Sequence, residues 1–135
     1  MRIEISTDRL RGEFVRKVAE LSGQDISLCY QCGKCSAGCP MSFVMDLLPN
    51  QVMRAVQLGL EEDIDNSRTA WLCASCLACT VRCPKGIDIA AVMEALRQVS
   101  LRRNIDFVDL TEMEPATIGE LPQIALVSGF RKLTS

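Results

Sequence analysis

The chain has 135 residues, a length that suits one domain or a small domain with appendages. Its formal charge of −2 at pH 7 disfavours nucleic acid as a partner. No run of 18 apolar residues occurs, so no membrane span is expected. Nothing resembles a signal peptide, and we therefore expect a cytoplasmic protein whose thiols stay reduced.

The first predicted elements are a short strand and a helix. Residues 1–6 alternate apolar and polar side chains, which is typical of a strand. Residues 7–21 are predicted to be helical, with Thr7 as the N-cap and Gly23 in the C-terminal turn. The apolar face of this helix has side chains three or four residues apart: Leu10, Phe14, Val18 and Leu21.

All eight cysteines lie in two copies of one spacing, C-x2-C-x2-C-x3-C, and each copy is followed by proline. The second copy lies 44 residues after the first at every position. This is the spacing of bacterial ferredoxins, in which thiolates hold [4Fe–4S] cubanes. It predicts two [4Fe–4S] clusters and electron transfer through the protein. The metal ligands are then Cys29, Cys32, Cys35, Cys39, Cys73, Cys76, Cys79 and Cys83.

The fourth cysteine of each copy is expected to cross over. Three cysteines two residues apart can surround one side of a cubane, whereas the fourth lies too far along the loop to close the same cube. In two-cluster proteins of this kind it ligates the other cluster. We therefore assign the first cluster to Cys29, Cys32, Cys35 and Cys83, and the second to Cys73, Cys76, Cys79 and Cys39. Bound clusters would also add about four negative charges to the chain.

Disulfides and zinc are the alternative uses of eight cysteines. A disulfide framework requires an oxidising compartment. Zinc sites usually pair C-x2-C units across longer gaps, often with histidine, and this chain has no histidine. Both alternatives are therefore minor. Three cations lie near the ligands in sequence and could favour the reduced clusters, although solvation at the surface is the simpler expectation for each: Lys34, Arg82 and Lys85.

The residues between and after the motifs predict further helices. Pro49 suits the first turn of one helix, which should end near Gly59. Asn66 or Ser67 is expected to cap a second helix that runs through Trp71, a residue that either shields a cluster or packs in the core. Asp88 should cap a third that continues to about Arg103. The predicted apolar faces consist of Val52, Met53, Val56 and Leu60, and of Ile89, Val92, Met93, Leu96 and Val99.

The two motifs identify a family resemblance. C-Y-Q-C-G-K-C-S-A-G-C-P at 29–40 and W-L-C-A-S-C-L-A-C-T-V-R-C-P-K-G-I-D-I at 71–89 resemble the motifs of the C subunit of heterodisulfide reductase. The resemblance covers roughly residues 5–105. It implies a mainly α fold: an α-helical ferredoxin domain with two [4Fe–4S] binding loops, a short N-terminal strand and an extended C-terminal tail. The expected domains are residues 1–104, with both clusters, and residues 105–135, an extension for subunit docking.

The resemblance also implies a function. The chain is expected to relay electrons between a flavoprotein subunit and a catalytic thiol/disulfide subunit with C-C-G domains, in a hetero-oligomeric oxidoreductase of methanogenic or sulfur metabolism. No catalytic residue is expected, because no paired carboxylates or nucleophile constellation occur. A free-standing soluble ferredoxin and an iron–sulfur subunit of another dehydrogenase remain alternatives, as does a redox-sensing or structural cluster protein.

Overall fold

The structure is a computed structural model that describes residues 7–103 and 112–133, with side chains described through residue 131. The chain divides into two compact units, residues 1–103 and 104–135. The predicted strand at residues 1–6 lies outside the described residues. The proposed division into a cluster domain and a docking extension stays a prediction.

The described part of the first unit consists of short helices joined by tight loops. One 3₁₀ turn, Ile26–Leu28, precedes the first cysteine motif. The α-helices are α1 (Thr7–Leu10), α2 (Glu13–Ser22), α3 (Lys34–Ala37), α4 (Pro49–Leu58), α5 (Glu61–Asp65), α6 (Thr69–Leu72), α7 (Ala78–Arg82) and α8 (Ile89–Leu101).

The core of this unit lies where α2, α4 and α8 pack together. Val18 of α2, Met53 and Val56 of α4, and Val92 and Met93 of α8 are almost completely buried. Each such side chain contributes about 1.5–3 kcal/mol by leaving water. Cys35 belongs to the same buried cluster, and Cys29, Cys73, Cys79 and Cys83 pack against it. The cysteine loops therefore rest directly on the hydrophobic core.

The expected start and end of α4 and the expected start of α8 are confirmed. Pro49 occupies the first turn of α4, and the C-cap Gly59 has a φ of 65°. The Asp88 carboxylate caps α8 by accepting a hydrogen bond of 3.0 Å from the Ala91 N–H. That bond satisfies one of the donors that a helix N-terminus leaves free. α8 ends at Leu101, two residues before the predicted end.

The prediction of one continuous helix over residues 7–21 is wrong. The segment forms two helices, α1 and α2, separated by Arg11 and Gly12. Gly12 is extended, and its N–H closes a turn on the Arg9 carbonyl at 3.1 Å. The Arg9 backbone packs against Gly59, so tertiary contact directs α1 toward α4. Glycine at position 12 costs the helix about 1 kcal/mol, which makes this the easiest place to break it.

Two further details depart from the sequence analysis. α5 was not predicted, since its polar sequence E-E-D-I-D buries only Ile64. Trp71 is 53% exposed, which contradicts the alternative that it packs in the core.

The described residues of the second unit form two helices, α9 (Pro115–Glu120) and α10 (Gln123–Leu133). Pro115 occupies the first turn of α9, where its missing N–H costs nothing. The apolar side chains Ile124, Val127 and Phe130 of α10 are all half-exposed or more. Within the described residues, no helix has the length and apolarity that crossing a membrane requires.

Candidate metal centre

The two cysteine motifs adopt the same backbone conformation. Gln31 and Ser75, at equivalent positions, are left-handed, with φ of 63° and 51°. The next equivalent pair, Gly33 and Leu77, is left-handed too, with φ of 75° and 63°. Non-glycine residues pay about 1–2 kcal/mol for this conformation, so the loops hold it against local preference. The left-handed conformation lets each loop turn tightly enough to present its closely spaced cysteines.

A short helix follows each of these tight turns and carries the third cysteine of the motif. Cys35 lies in α3 and Cys79 in α7, and these two helices pack against one another. The pairing brings the ends of the two motifs together. As a result, the fourth cysteine of each motif leaves its own loop and approaches the other one.

Two cavities collect the eight cysteines into two sets of four. The first encloses about 290 Å³, including space open to solvent, and the second about 370 Å³. Cys29, Cys32, Cys35 and Cys83 line the first cavity. Cys39, Cys73, Cys76 and Cys79 line the second. Each cavity thus holds three cysteines of one motif and the fourth of the other, the grouping expected from the sequence.

The chemistry of both cavities fits a [4Fe–4S] cluster. Four sulfurs line each one, and the remaining walls are neutral: Gln31, Gly33, Asn50, Ile87 and Ile89 in the first, and Met41, Met45, Pro49, Ala74, Ser75, Ala90 and Met93 in the second. In the described part of the chain, no three Cys, Asp or Glu side chains converge as one ion would require. Four thiolates distributed around a wall are the donors that a cubane uses.

The third cysteine of each motif lies in the hydrophobic core or packs against it. Burial raises the pKa of the Cys35 thiol, and the neighbouring Ser36 partly opposes this. Burial likewise raises the pKa of Cys79, opposed by Thr80 at the equivalent position. Since metal ligands must be deprotonated, loading iron into either cavity would release these protons.

Side chains from the core helices hold the first loop in place. The Gln57 amide of α4 donates to the Ile26 carbonyl at 3.0 Å and to the Cys29 carbonyl at 2.8 Å. Its own oxygen is buried, with no hydrogen-bond partner among the described residues. Asn50 accepts from the Ser36 hydroxyl at 2.6 Å. The two ends of α4 therefore hold different parts of the loop: Gln57, near its C-terminal end, holds Cys29, and Asn50, near its N-terminal end, holds the α3 turn.

The second loop is attached to α8 and to the spacer. The Arg97 guanidinium of α8 donates to the Ala70 carbonyl at 2.8 Å, just before the second motif. Asp46 accepts from the Ser67 hydroxyl at 2.7 Å, the Arg68 N–H at 2.8 Å and the buried Thr69 hydroxyl at 2.5 Å. The Thr69 bond, followed by the others, holds the pKa of Asp46 well below its usual range.

Arg82 lies at the crossing point of the two motifs. Its side chain covers Gly38, where a Cβ would collide with the Arg82 Cδ, Nε and Cζ. Gly38 precedes Cys39 and Arg82 precedes Cys83, so this contact joins the residues that come just before the two crossing cysteines. Gly38 has a φ of −104°, open to any residue. Glycine is needed there to accommodate the arginine.

The cysteine spacing revealed neither the attachments nor the crossing arginine. Gln57, Arg97 and Asp46 act over 21 to 31 residues of sequence, as their hydrogen bonds show. A search for polar residues next to apolar helical positions could have marked Gln57 and Arg97. A separate cavity beside α2, whose lining includes Glu13, Lys17 and Arg103, contains no cysteine and is not part of this centre.

Comparison with known proteins agrees with this chemistry. A family described as "4Fe-4S dicluster domain" matches residues 25–87, which span both motifs and the spacer. Residues 25–87 form a 4Fe–4S dicluster domain. The domain carries two [4Fe–4S] clusters, and it contains all eight cysteines of the chain.

The dicluster domain and its surroundings are similar to the C subunits of heterodisulfide reductases from methanogens. A CoB–CoM heterodisulfide reductase iron–sulfur subunit of this type from Methanocaldococcus jannaschii is 33% identical over 107 residues, which cover 73% of this chain and 57% of the relative. The corresponding iron–sulfur subunit of Methanopyrus kandleri is 29% identical, with 73% and 56% covered.

A third relative comes from Methanothermobacter marburgensis. This C subunit of an H(2):CoB-CoM heterodisulfide,ferredoxin reductase is 32% identical over 85 residues, covering 63% of this chain and 46% of that protein. The chain spans about half the length of these curated relatives.

Proposed function

We propose that this chain is the electron-transfer subunit of a heterodisulfide reductase-like complex. It carries electrons one at a time between a flavoprotein subunit and a catalytic thiol/disulfide subunit of the C-C-G type. The observation that carries the proposal is the exchange of Cys39 and Cys83 between the two cavities, which creates adjoining four-sulfur sites on one core. The names of its relatives support the choice of complex.

The ligand assignment forms part of the proposal. Cys29, Cys32, Cys35 and Cys83 hold one cluster, and Cys73, Cys76, Cys79 and Cys39 hold the other. When bound, each cluster supplies a one-electron couple. The chain fixes the spacing of the two sites through the α3–α7 contact and keeps water away from the most buried sulfurs. A cytoplasmic hetero-oligomer is the setting in which such a subunit would act.

The dicluster domain needs a surface through which electrons enter and leave. Cys32 and Cys76, the second cysteines of the motifs, are exposed. Large apolar side chains near the motifs are exposed too: Tyr30, Phe43, Leu77 and Val81. Each site therefore has one ligand that an adjacent subunit could approach, as a relay with two partners requires.

The test of the complex is anaerobic purification of the native chain. We expect about eight irons and eight sulfides per chain, a count that follows from two cubanes, and co-purification with a flavin-containing subunit. Isolation of the loaded chain as a free monomer, with no flavoprotein, would contradict the proposed complex. A much lower iron content would contradict the dicluster assignment itself.

The crossing of ligands has its own test in single cysteine-to-serine variants. EPR spectra of the reduced protein should show that Cys32→Ser and Cys83→Ser perturb one cluster signal. Cys76→Ser and Cys39→Ser should perturb the other signal. If Cys39→Ser instead affected the same signal as Cys32→Ser, each motif would be holding its own fourth ligand.

A further inference from the structure

The two sulfur cavities differ in their polar surroundings although their backbones match. At position 31 the first loop has a glutamine whose Nε2 donates to the Cys29 sulfur at 3.4 Å. The equivalent residue of the second loop is Ser75, whose hydroxyl instead accepts from Arg97 at 3.4 Å. An amide donor is thus directed at a sulfur of the first site, and its equivalent in the second turns toward α8.

Neighbouring positions repeat this difference. Tyr30 lies in the first loop, between Cys29 and Gln31, and its hydroxyl can donate a hydrogen bond. The Lys85 ammonium lies 5.7 Å from the centre of the Tyr30 ring. A phenol and a cation are therefore both present beside the first motif.

The equivalent positions in the second loop are small or apolar. Ala74 corresponds to Tyr30, Ala78 to Lys34 and Met41 to Lys85. Because the chain crosses over after each fourth cysteine, Lys85 reaches the first site and Met41 lines the second cavity. The same cavity also contains Met45 and Met93, neither of which carries a charge or an N–H donor on its side chain.

The groups that the two sites share do not offset this difference. Ser36 beside Cys35 and Thr80 beside Cys79 interact with equivalent cysteines. Arg82 lies against Gly38, and these two residues precede the two crossing cysteines, so its position singles out neither site. Arg97 contacts Ser75 and so places a cation near the second site, as Lys85 does near the first. What remains is an excess of side-chain hydrogen-bond donors around Cys29, Cys32, Cys35 and Cys83.

Reduction adds a negative charge to a cluster, and donors or cations close to its sulfurs stabilise that charge. We propose that the cluster in the Cys29 cavity has the higher reduction potential of the pair, set by Gln31, Tyr30 and Lys85, so that a single electron entering the chain resides there. This rests on the ligand assignment of the proposed function. The reductant supplies one electron, and no bond forms or breaks.

The test is an EPR-monitored redox titration of the anaerobically purified, fully loaded chain with dithionite. Two one-electron waves are expected. Gln31→Met keeps the side-chain length but removes the donor. At a fixed potential it should lower the ratio of reduced to oxidised cluster about tenfold in the higher wave, which is about 59 mV for a one-electron couple. The lower wave should stay where it is.

Two further variants test whether the shift comes from the donor at position 31 and from the nearby charge. Ser75→Ala is the matched control at the equivalent position, and neither wave should move comparably. Lys85→Met, at an exposed residue, should shift the higher wave in the same direction by a smaller factor that shrinks as salt is added.

The outcomes separate this inference from the proposed function. A shift of the lower wave by Gln31→Met, a shift of neither wave, or a single two-electron wave at full iron content would overturn the assignment of potentials alone. An iron and sulfide content far below about eight each would overturn the dicluster proposal, and this inference with it.

Discussion

At the scale of single residues, glycines show how packing decides what a position tolerates. Gly23 and Gly59 both end a helix in the left-handed conformation, with φ of 64° and 65°. Around Gly23 a Cβ would meet nothing within 4 Å. At Gly59 it would collide with the Arg9 backbone carbonyl. The two positions share one backbone strain and differ only in their surroundings.

This pair makes a direct prediction. Gly23→Ala should lower the free energy of unfolding by about 1–2 kcal/mol, the cost of a left-handed alanine. Gly59→Ala should cost about 1–3 kcal/mol more, because α1 must move away from α4. Anaerobic chemical denaturation of the loaded chain, followed by far-UV circular dichroism, measures both. Equal losses would show that the α1–α4 contact contributes nothing to stability.

At the scale of elements, the core helices position the cysteine loops by donating to loop carbonyls. α4 does so through Gln57 and α8 through Arg97. A buried carbonyl that loses its donor costs about 1–3 kcal/mol. Helix packing and cluster retention are therefore coupled. A shift of α4 or α8 would move the cysteine loop to which its Gln57 or Arg97 side chain donates.

Gln57→Met tests this coupling. The variant keeps most of the side-chain volume but leaves the Ile26 and Cys29 carbonyls without their donor, so we expect about 1–3 kcal/mol of destabilisation and faster iron loss from the first site. Iron release to a chelator under argon, with EPR to identify the affected signal, measures it. Gln98→Met on α8 is the control, because among the described residues the Gln98 amide has hydrogen bonds to Glu94 and Arg102 alone. Similar iron loss in both variants would contradict the coupling.

At the scale of the whole molecule, the cysteine loops and the second unit have separate roles in the proposed complex. The described residues that line both cavities all lie in the first unit. In the second unit, Ile124, Val127 and Phe130 keep their apolar side chains exposed. Exposed side chains of this kind are typical of protein contacts, which suits the expected docking role of residues 105–135.

Deletion of residues 105–135 tests that division of roles. We expect the truncated chain to keep about eight irons, the count for two cubanes, and to lose co-purification with its partner subunits. Size-exclusion chromatography and iron analysis of the anaerobic preparations measure both. A truncated chain with unchanged partners would favour the alternative of a free-standing ferredoxin, whose carrier function needs no docking extension.

The sequence by itself determined the chemistry. Eight cysteines in two copies of one spacing were sufficient to predict two [4Fe–4S] clusters. The helical patterns around the motifs and the family resemblance predicted a mainly α fold, and both predictions are confirmed. The crossed ligand sets agree with the two cavities but stay a prediction until metal is assigned to each. Local patterns could indicate this much because cysteine spacing, proline at a helix start and an aspartate cap act over a few residues.

The tertiary structure decided what surrounds the clusters. The break at Gly12, the attachment of Cys29 by Gln57 and the passage of Arg82 over Gly38 depend on contacts between distant segments. The difference in polarity between the two cavities appears only after the crossing has carried Lys85 to one motif and Met41 to the other. Such contacts leave no periodic signal in a sequence, because packing in three dimensions selects the partner.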